Sequence, residues 1–126
     1  MNAPEDLLYT AEHEWISQLS DHRVRLGITD YAQDQLGDVV YVELPTVGTE
    51  VAKEDLLAEI ESTKSVGEVY APFAGTVVAV NEAVANSPEL VNTSPYDQGW
   101  LAELDVAGDI GGEHMLNAAA YKELTE

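Results

Sequence analysis

The chain of 126 residues contains no cysteine, and 24 acidic residues against 5 basic residues give it a formal charge of −19 at pH 7. Such a charge repels nucleic acid and anionic membranes, so we expect neither among the partners. Without cysteine the chain has no disulfide, no thiolate metal site and no cysteine nucleophile.

The length of the chain predicts a single domain over residues 1–126, with its core over about 20–106. No apolar run is long enough to span a membrane. The first residues, MNAPEDLLYT, do not resemble a targeting peptide. We therefore expect a cytoplasmic protein.

The N-terminal part of the chain predicts short strands followed by a helix. Residues 9–28 are typical of short strands around a turn at Ser20-Asp21-His22. Next, Thr29 and Asp30 are candidate N-caps, and Gly37 is a candidate C-terminal stop. These signals predict a helix of about two turns.

The rest of the chain is predicted to be mainly β. The polar, proline-containing residues 81–99 predict a long connection, and strong helix formers without a breaker predict a C-terminal helix over about 113–124. Stretches rich in β-branched residues and bounded by turn residues predict strands at 38–44, 46–51, 56–62, 66–72, 75–80 and 100–106.

Two short motifs occur twice in the chain. Gly37-Asp-Val-Val-Tyr-Val42 is similar to Gly75-Thr-Val-Val-Ala-Val80, and Leu57-Ala-Glu-Ile60 is similar to Leu101-Ala-Glu-Leu104. Two β units of this size are too small to fold independently, so the repeat predicts two similar halves that bury one core between them. Chance recurrence of short valine-rich motifs is the alternative.

Alternation along the strands predicts which side chains share a face. With a period of two, Val40 and Val42 lie on one face of their strand, opposite Val39 and Tyr41. The same period in the strand at 56–62 separates two sets of side chains, namely Leu56, Ala58 and Ile60 on one face and Glu59 and Glu61 on the other.

Lys64 lies at the predicted turn of a β-hairpin. A lysine in a turn is usually a solvated surface charge and nothing more. Here, however, cations are scarce, the neighbours Ser62, Thr63 and Ser65 are small and polar, and the hairpin joins the two copies of the repeat. An exposed amine makes a poor general base, because a basic lysine needs desolvation. It is better suited to be an attachment point.

The hairpin around Lys64 resembles the modified-lysine hairpin of biotinyl and lipoyl domains, which are flattened β-barrels of two quasi-symmetric halves. More specifically, residues 8–122 resemble the glycine cleavage H-protein family. This resemblance implies a mainly β barrel-sandwich hybrid with a short internal helix and a C-terminal helix. It rests on the runs YTAEHEW (9–15), GITDYAQ (27–33), QLGDVVYVELP (35–45), ESTK (61–64), YAP (70–72), VNE (80–82), NSPELVN (86–92), SPY (94–96) and GW (99–100).

The resemblance implies a lipoyl-carrier domain rather than an enzyme, with lipoate in amide linkage on Lys64. In this family the lipoyl arm takes the aminomethyl group of glycine from glycine decarboxylase (P protein) to the aminomethyltransferase (T protein). Dihydrolipoamide dehydrogenase (L protein) then reoxidises the arm. A lipoate ligase or lipoyl transferase attaches the lipoate. Thr63 and Ser65 stand where biotin carriers have methionine, which argues against biotin.

Two carboxylates also acquire expected roles from the resemblance. Glu61, in the attachment hairpin, is implied in recognition by the modifying enzyme. Glu14, in the HEW segment that plain lipoyl domains lack, is implied in a surface cleft that shelters the loaded arm. The alternative for Glu14 is an ordinary exposed carboxylate on a strand.

Two other functions remain open from the sequence. A related protein that relays lipoate to other carriers has the same fold and lysine, and neighbouring genes would distinguish it. An interaction module that has lost the modification would show no lipoyl increment in its mass. Ser65, where alanine is common in the family, is a small departure from the pattern.

Other kinds of site find little support in the sequence. His13, His22 and His114 are far apart and in no ligand spacing, so we expect no metal site. There is no phosphate-binding glycine pattern and no nucleophile elbow. We expect Trp15 and Trp100 to pack in the core or at its rim.

Overall fold

The computed structural model of the protein describes residues 3–108, 110 and 115–125. The described chain is mainly β and forms two antiparallel sheets. The strands are β1 Leu8–Tyr9, β2 Glu14–Gln18, β3 Arg23–Ile28, β4 Val39–Glu43, β5 Glu50–Val51, β6 Leu56–Ser62, β7 Val66–Tyr70, β8 Gly75–Val80 and β9 Ala102–Val106. The six-stranded sheet has the order β1-β2-β3-β9-β8-β5, and the three-stranded sheet has the order β4-β6-β7.

The helices of the described chain are short: α1 Asp30–Leu36, α2 Glu82–Asn86, α3 Leu90–Thr93 and α4 Ala118–Thr125. α1 begins and ends as predicted. The Thr29 hydroxyl caps it by accepting a hydrogen bond from the N–H of Ala32 at 3.2 Å, and Gly37, with φ 85°, ends it. Across the described ranges, no helix has both the length and the apolar character that a membrane span requires.

The core lies between the two sheets. Each large aliphatic side chain buried there contributes about 1.5–3 kcal/mol. The central cluster includes Leu26, Val77 and Leu104 from the six-stranded sheet and Val42, Ile60 and Val69 from the three-stranded sheet. The mainly β sandwich predicted from the sequence is confirmed, and the described strands pair in two sheets rather than in one closed barrel.

The two copies of the sequence repeat lie in different sheets. The first copy forms β4 and β6, which pair in the three-stranded sheet, and the second forms β8 and β9, which pair in the six-stranded sheet. The register is irregular at the same point of both copies, between Val39 and Tyr41 in β4 and between Val77 and Ala79 in β8. Matching irregularities in two separate sheets support the interpretation as two similar halves.

The predicted alternation in β4 is wrong. Val40 and Tyr41 are both exposed, at 54% and 50%, whereas Val39 and Val42 are both buried. The irregularity between Val39 and Tyr41 explains this, because an extra residue in one strand of a pair shifts the period of two.

β6 departs from the predicted alternation for the same reason. Leu56 is exposed, whereas Leu57 and Ala58 are both buried. The register of β6 against β7 is irregular between Leu56 and Ala58, so Leu56 does not share the core face with Ala58 and Ile60.

The connection at 81–99 contains two helices, α2 and α3, that the sequence did not predict. Asn81 caps α2 through its Oδ1, which accepts from the N–H of Ala83 at 3.2 Å. The Nδ2 of Asn81 donates to the carbonyls of Gln98 and Trp100 at 2.7 and 2.8 Å, which ties the two ends of the connection together. Helices of one turn are too short to show an apolar period in the sequence.

The C-terminal helix α4 begins later than predicted, at Ala118. Residues 113–114 of the predicted helix lie outside the described residues, and Leu116 forms a β-bridge with Tyr9. Tyr121 of α4 stacks on Tyr9, with ring centroids 4.7 Å apart. The helix therefore closes over the first strand.

Both tryptophans pack as predicted. Trp15 is buried, and its indole N–H donates to the carbonyl of Pro95 at 2.9 Å. Trp100 lies at the rim, with the Arg25 guanidinium 4.5 Å from its ring centroid. Arg25 and Arg23 also form ion pairs with the buried Glu103 at 2.8 and 2.6 Å.

Candidate functional site

Lys64 lies in the tight connection between β6 and β7, as predicted. Ser62 closes this turn: its backbone N–H donates to the carbonyl of Ser65 at 2.8 Å, and its hydroxyl accepts from the N–H groups of Lys64 and Ser65 at 3.3 and 3.0 Å. Residues 63–65 are exposed. The turn is therefore closed by its own hydrogen bonds and presents Lys64 to solvent.

The hairpin contacts residues 36–39, which we call the α1–β4 junction. The N–H of Thr63 donates to the carbonyl of Asp38 at 3.0 Å. A Cβ atom on Gly37 would lie 3.3 Å from Cε and 3.7 Å from Cδ of Lys64, so the aliphatic stem of Lys64 crosses this glycine. A Cβ on Gly67 would lie 3.1 Å from a methyl group of Leu36.

Glu61 lies on the outer face of the three-stranded sheet, next to the lysine turn. Across the strands it pairs with Tyr41 on β4 and with Val66 on β7, and all three side chains are exposed. Lys64 and Glu61 therefore share one hairpin, with two exposed apolar side chains beside them.

The next row on this face consists of Glu43, Glu59 and Glu68, which we call the acidic row. Partial burial and the charges and hydrogen bonding of the neighbouring carboxylates raise the pKa of Glu59. Glu68 also accepts a hydrogen bond from the Tyr70 hydroxyl at 3.0 Å. The face near Lys64 is thus strongly negative.

Glu14 is buried, at 3% exposure, so the alternative of an exposed strand carboxylate does not hold. One carboxylate oxygen accepts from the backbone N–H of Tyr70 at 2.8 Å, and the other accepts from the Thr10 hydroxyl at 3.3 Å. Burial raises the pKa of Glu14 from 4.5 to about 7, and the charge of Glu12 adds to this effect although both hydrogen bonds oppose it. Near neutral pH the protonated and ionised forms of Glu14 are therefore both populated.

Two clefts meet at Glu12, which lines both. The first has a volume of about 270 Å³ and contains Glu14 together with Lys53 and Glu54. The second has a volume of about 330 Å³ and extends from the lysine hairpin, because Gly67 and its neighbour Leu36 form part of its wall. We call these the Glu14 cleft and the hairpin cleft.

His13 forms a polar but uncharged part of the wall of the hairpin cleft. Its Nδ1 is 2.8 Å from the hydroxyl of Tyr121, which is also 2.7 Å from the hydroxyl of Thr29. Burial lowers the pKa of His13 and raises that of Tyr121 to about 12. These hydrogen bonds join α4 to the start of α1 behind the cleft.

Metal binding finds no geometric basis in the described residues, where no three potential His or carboxylate ligands come together. His13 is engaged with Tyr121, and His22 lies in the turn between β2 and β3. His114, the third histidine considered from the sequence, lies outside the described residues.

Three charged residues of the two clefts and the acidic row were not predicted from the sequence. Glu12 lines both clefts, Glu68 lines the hairpin cleft, and Glu43 completes the acidic row. Of the three, Glu68 could have been predicted from the sequence. It lies two residues after Val66, and alternation along a strand places both side chains on the same face of β7. The positions of Glu12 and Glu43 depend on contacts between distant segments.

Comparison with known proteins gives the family of the chain. The family model for the glycine cleavage H-protein matches residues 7–126. A glycine cleavage system H protein of Nocardia farcinica is 55% identical over 123 residues, which cover 94% of this chain and 93% of that protein. One from Micrococcus luteus is 52% identical over 123 residues, with coverage of 97% and 96%.

A solved structure shows the same fold. The crystal structure of a glycine cleavage system H protein from Mycobacterium marinum superimposes with a TM-score of 0.86 and is 40% identical in sequence. The match covers 96% of this chain and 97% of that one. The chain therefore belongs to the glycine cleavage H-protein family, the lipoyl carriers of the glycine cleavage system, which have no catalytic activity of their own.

Proposed function

We propose that Lys64 is the residue that carries lipoate, in amide linkage to its Nζ. The observation that supports this most directly is an exposed lysine in a self-closed turn of small side chains. An enzyme that acylates an amine must surround it, and Thr63 and Ser65 leave room for this. Conversion of the ammonium to an amide removes one positive charge, so the formal total of −19 becomes −19 − 1 = −20.

The surroundings of Lys64 fit a lipoyl arm. The hairpin cleft, at about 330 Å³, falls within the range of about 300–1,000 Å³ that is common for ligand sites. Its wall combines apolar side chains such as Leu36 and Val69 with the polar Glu12 and His13. A bound lipoyl group supplies the disulfide that accepts the aminomethyl group of glycine as it is reduced.

We assign the protection of the loaded arm to Glu14, with Glu12 beside it. A carboxylate accepts a charge-assisted hydrogen bond from a cationic amine, which stabilises the contact by about 1.5–3 kcal/mol when it is partly buried. Burial disfavours the ionised form of Glu14, whose pKa is about 7. A cationic amine nearby reverses this preference, so Glu14 ionises most readily when such a cargo is present.

Membership of the family implies the glycine decarboxylase, the aminomethyltransferase and dihydrolipoamide dehydrogenase as partners. We assign their docking, and that of a lipoate ligase or lipoyl transferase, to the outer face with Glu61 and the acidic row. Negative charge beside Lys64 attracts basic patches and speeds encounter. We further assign the protein to the cytoplasm, as one lipoyl-carrier domain over residues 1–126.

The test of the attachment site is Lys64→Arg, because a guanidinium keeps the charge but does not accept the acyl group. Protein from cells able to attach lipoate should show the lipoyl increment by intact mass, with peptide mapping to Lys64. We expect Lys64→Arg to lack the increment and to support no glycine-dependent methylene transfer. Its stability should change by no more than about 0.5 kcal/mol, since the residue is exposed.

Lys122→Arg is the matched control, because Lys122 is also an exposed lysine and lines neither cleft. It should remain fully modified and active. Methylene transfer by Lys64→Arg, or an increment that maps elsewhere, would rule out Lys64 as the site. A wild-type chain without any increment would indicate an unmodified interaction module. A modified chain that donates lipoate to other carriers but does not support methylene transfer would indicate a relay.

A further inference from the structure

Asn92 of α3 holds the α1–β4 junction on which the lysine hairpin rests. Its Nδ2 donates to the carbonyl of Gly37 at 2.9 Å and to Oε1 of Gln33 at 3.0 Å. Its Oδ1 accepts from the backbone N–H of Val39 at 2.8 Å. One side chain therefore ties the end of α1 to the start of β4.

Gly37 is the point of the junction that the stem of Lys64 crosses. Its φ of 85° and ψ of −160° lie in a region that is essentially restricted to glycine. Without a Cβ atom the backbone approaches the Lys64 stem closely, and a Cβ would lie 3.3 Å from Cε. The carbonyl of Gly37 follows the end of a helix, where backbone groups need partners from elsewhere, and Asn92 supplies one.

We propose that Asn92 and Gly37 are positioning residues for Lys64, and that the enzyme attaching lipoate recognises the hairpin and the junction as one surface. The proposal rests on the proposed attachment of lipoate to Lys64. Thr63 fixes the turn to Asp38, and the Lys64 stem lies over Gly37. The connection at 81–99, which lies between the two motifs of the second repeat copy, thus contributes Asn92 to the presentation of Lys64.

The chemistry of attachment makes the position of the amine important. Nζ of Lys64, as the neutral amine, attacks the carbonyl carbon of an activated lipoyl group such as an acyl-adenylate. The C–N amide bond forms, the bond from the carbonyl carbon to the phosphate oxygen breaks, the nucleotide leaves and the nitrogen loses a proton. No oxidation or reduction occurs. Nucleophile and carbonyl must meet at about 3–3.5 Å, and a displacement of about 1 Å lowers the rate by up to about 10²-fold.

Asn92→Ala tests the proposal, with Asn81→Ala as its matched control. Asn81 lies in the same connection and also makes two donations and one acceptance, but to Gln98, Trp100 and Ala83, away from the hairpin. With lipoate, ATP and a lipoate ligase, we expect the second-order rate constant for modification of Lys64 to fall about tenfold in Asn92→Ala. Asn81→Ala should stay within about twofold of wild type although it loses as many hydrogen bonds.

Two further measurements distinguish a change in the position of Lys64 from a general loss of stability in the variants. Acetylation of Lys64 by an N-hydroxysuccinimide ester should proceed at the wild-type rate in both variants, because the amine stays exposed. Thermal unfolding of both variants gives the loss of stability against which the rates are compared. Gly37→Ala is expected to lower the ligase rate, as Asn92→Ala does. Circular dichroism of Gly37→Ala and wild type checks that the variant keeps its fold.

Each outcome decides a different point. Equal ligase rates for Asn92→Ala and wild type, or a fall in Asn81→Ala as large as that in Asn92→Ala, would overturn the positioning role. A fall in chemical acetylation that matches the fall in the ligase rate would also overturn it. A wild-type chain that gains no lipoyl group under these conditions would instead overturn the proposed attachment, and this inference with it.

Discussion

Glu59 in β6 and Glu103 in β9 occupy the same position of the repeated Leu-Ala-Glu motif, but their surroundings are opposite. Glu103 is buried, and hydrogen bonds from Arg25 and Arg23 hold its pKa below the ordinary value even though burial opposes this. Glu59 lies in the acidic row, and its pKa is raised by partial burial and by neighbouring carboxylates.

The neighbouring strands cause this difference. β9 pairs with β3, which contains both arginines of the chain, whereas β6 pairs with β4 and β7, which place Glu43 and Glu68 beside Glu59. In the second repeat copy, Glu103 of β9 forms ion pairs with the arginines of β3 and so stabilises the six-stranded sheet. The half that contains Lys64 keeps its carboxylates without arginine partners, and its face stays negative.

The largest effect on stability is expected at Glu14, the buried carboxylate that accepts a hydrogen bond from the backbone of β7. Its pKa of about 7 in the folded chain exceeds 4.5, so between these values the unfolded chain releases a proton that the folded chain keeps. The stability of the wild type therefore falls as pH rises through this window. Relative to wild type, Glu14→Gln should gain nothing near pH 4 and about 3 kcal/mol by about pH 8.

Chemical denaturation of the wild type and Glu14→Gln across this pH range measures the difference. Glutamine keeps the acceptor for Tyr70 and the size of the side chain, and it replaces the oxygen that accepts from Thr10 by a donor. That replacement does not depend on pH, so the pH dependence of the difference reports the ionisation of Glu14. A difference that stays constant with pH would show that Glu14 does not titrate in this window.

The next largest effect on stability is expected when each of the two equivalent glutamates is replaced by alanine. Glu103→Ala removes the partner of Arg23 and Arg25, and we expect a loss of about 2 kcal/mol, below the usual range for buried pairs because both arginines are partly exposed. Glu59→Ala relieves repulsion in the acidic row and should change stability far less than Glu103→Ala does. Equal losses in urea denaturation would show that the two carboxylates do not differ as described.

Glu14→Ala should also shorten the lifetime of the loaded carrier. Removal of a charge-assisted hydrogen bond to the cationic amine should speed decay by about tenfold or more. The measurement is the decay rate of the isolated loaded protein, with lipoate content checked by mass so that attachment at Lys64 is known to be intact. Glu103→Ala serves as the control, since it removes a buried carboxylate away from both clefts, and equal decay in Glu14→Ala and wild type would remove Glu14 from this role.

The smallest effect is expected for docking. Neutralising the acidic row by Glu43→Gln, Glu59→Gln and Glu68→Gln together should raise the apparent Michaelis constant for a partner enzyme about three- to tenfold at low salt. The difference should disappear as salt shortens the Debye length from about 30 Å at 0.01 M to about 3 Å at 1 M. The control changes the same charge elsewhere, at the exposed Asp21, Glu50 and Glu89. Equal effects of both triple variants would indicate net charge rather than a docking face.

Local signals in the sequence were sufficient for the parts of the fold that depend on a few neighbouring residues. Thr29 and Gly37 delimit α1 as predicted, and the small residues around Lys64 give the turn between β6 and β7. The repeat also predicted two similar halves, because it records the same strand pattern twice. These features need no knowledge of which strands pair.

Features that depend on pairing between distant segments could not be predicted. A register irregularity turns Tyr41 and Leu56 outward, and the alternation rule has no means of locating such an irregularity. The burial of Glu14 depends on the N–H of Tyr70, and the contacts of Asn92 reach back to Gly37. The resemblance to a family pointed to Glu14, but its raised pKa follows only from the folded surroundings.

The strand order of the six-stranded sheet has a consequence for biosynthesis. β2 and β3 leave the ribosome early, yet β3 must wait for β9, near the end of the chain, before its second edge is paired. The lysine hairpin, by contrast, is made of consecutive strands and emerges complete well before β9 does. If attachment needs Asn92 to hold the α1–β4 junction, as proposed above, an enzyme can modify Lys64 only after α3 has followed the hairpin out of the ribosome, and not as soon as β6 and β7 have paired.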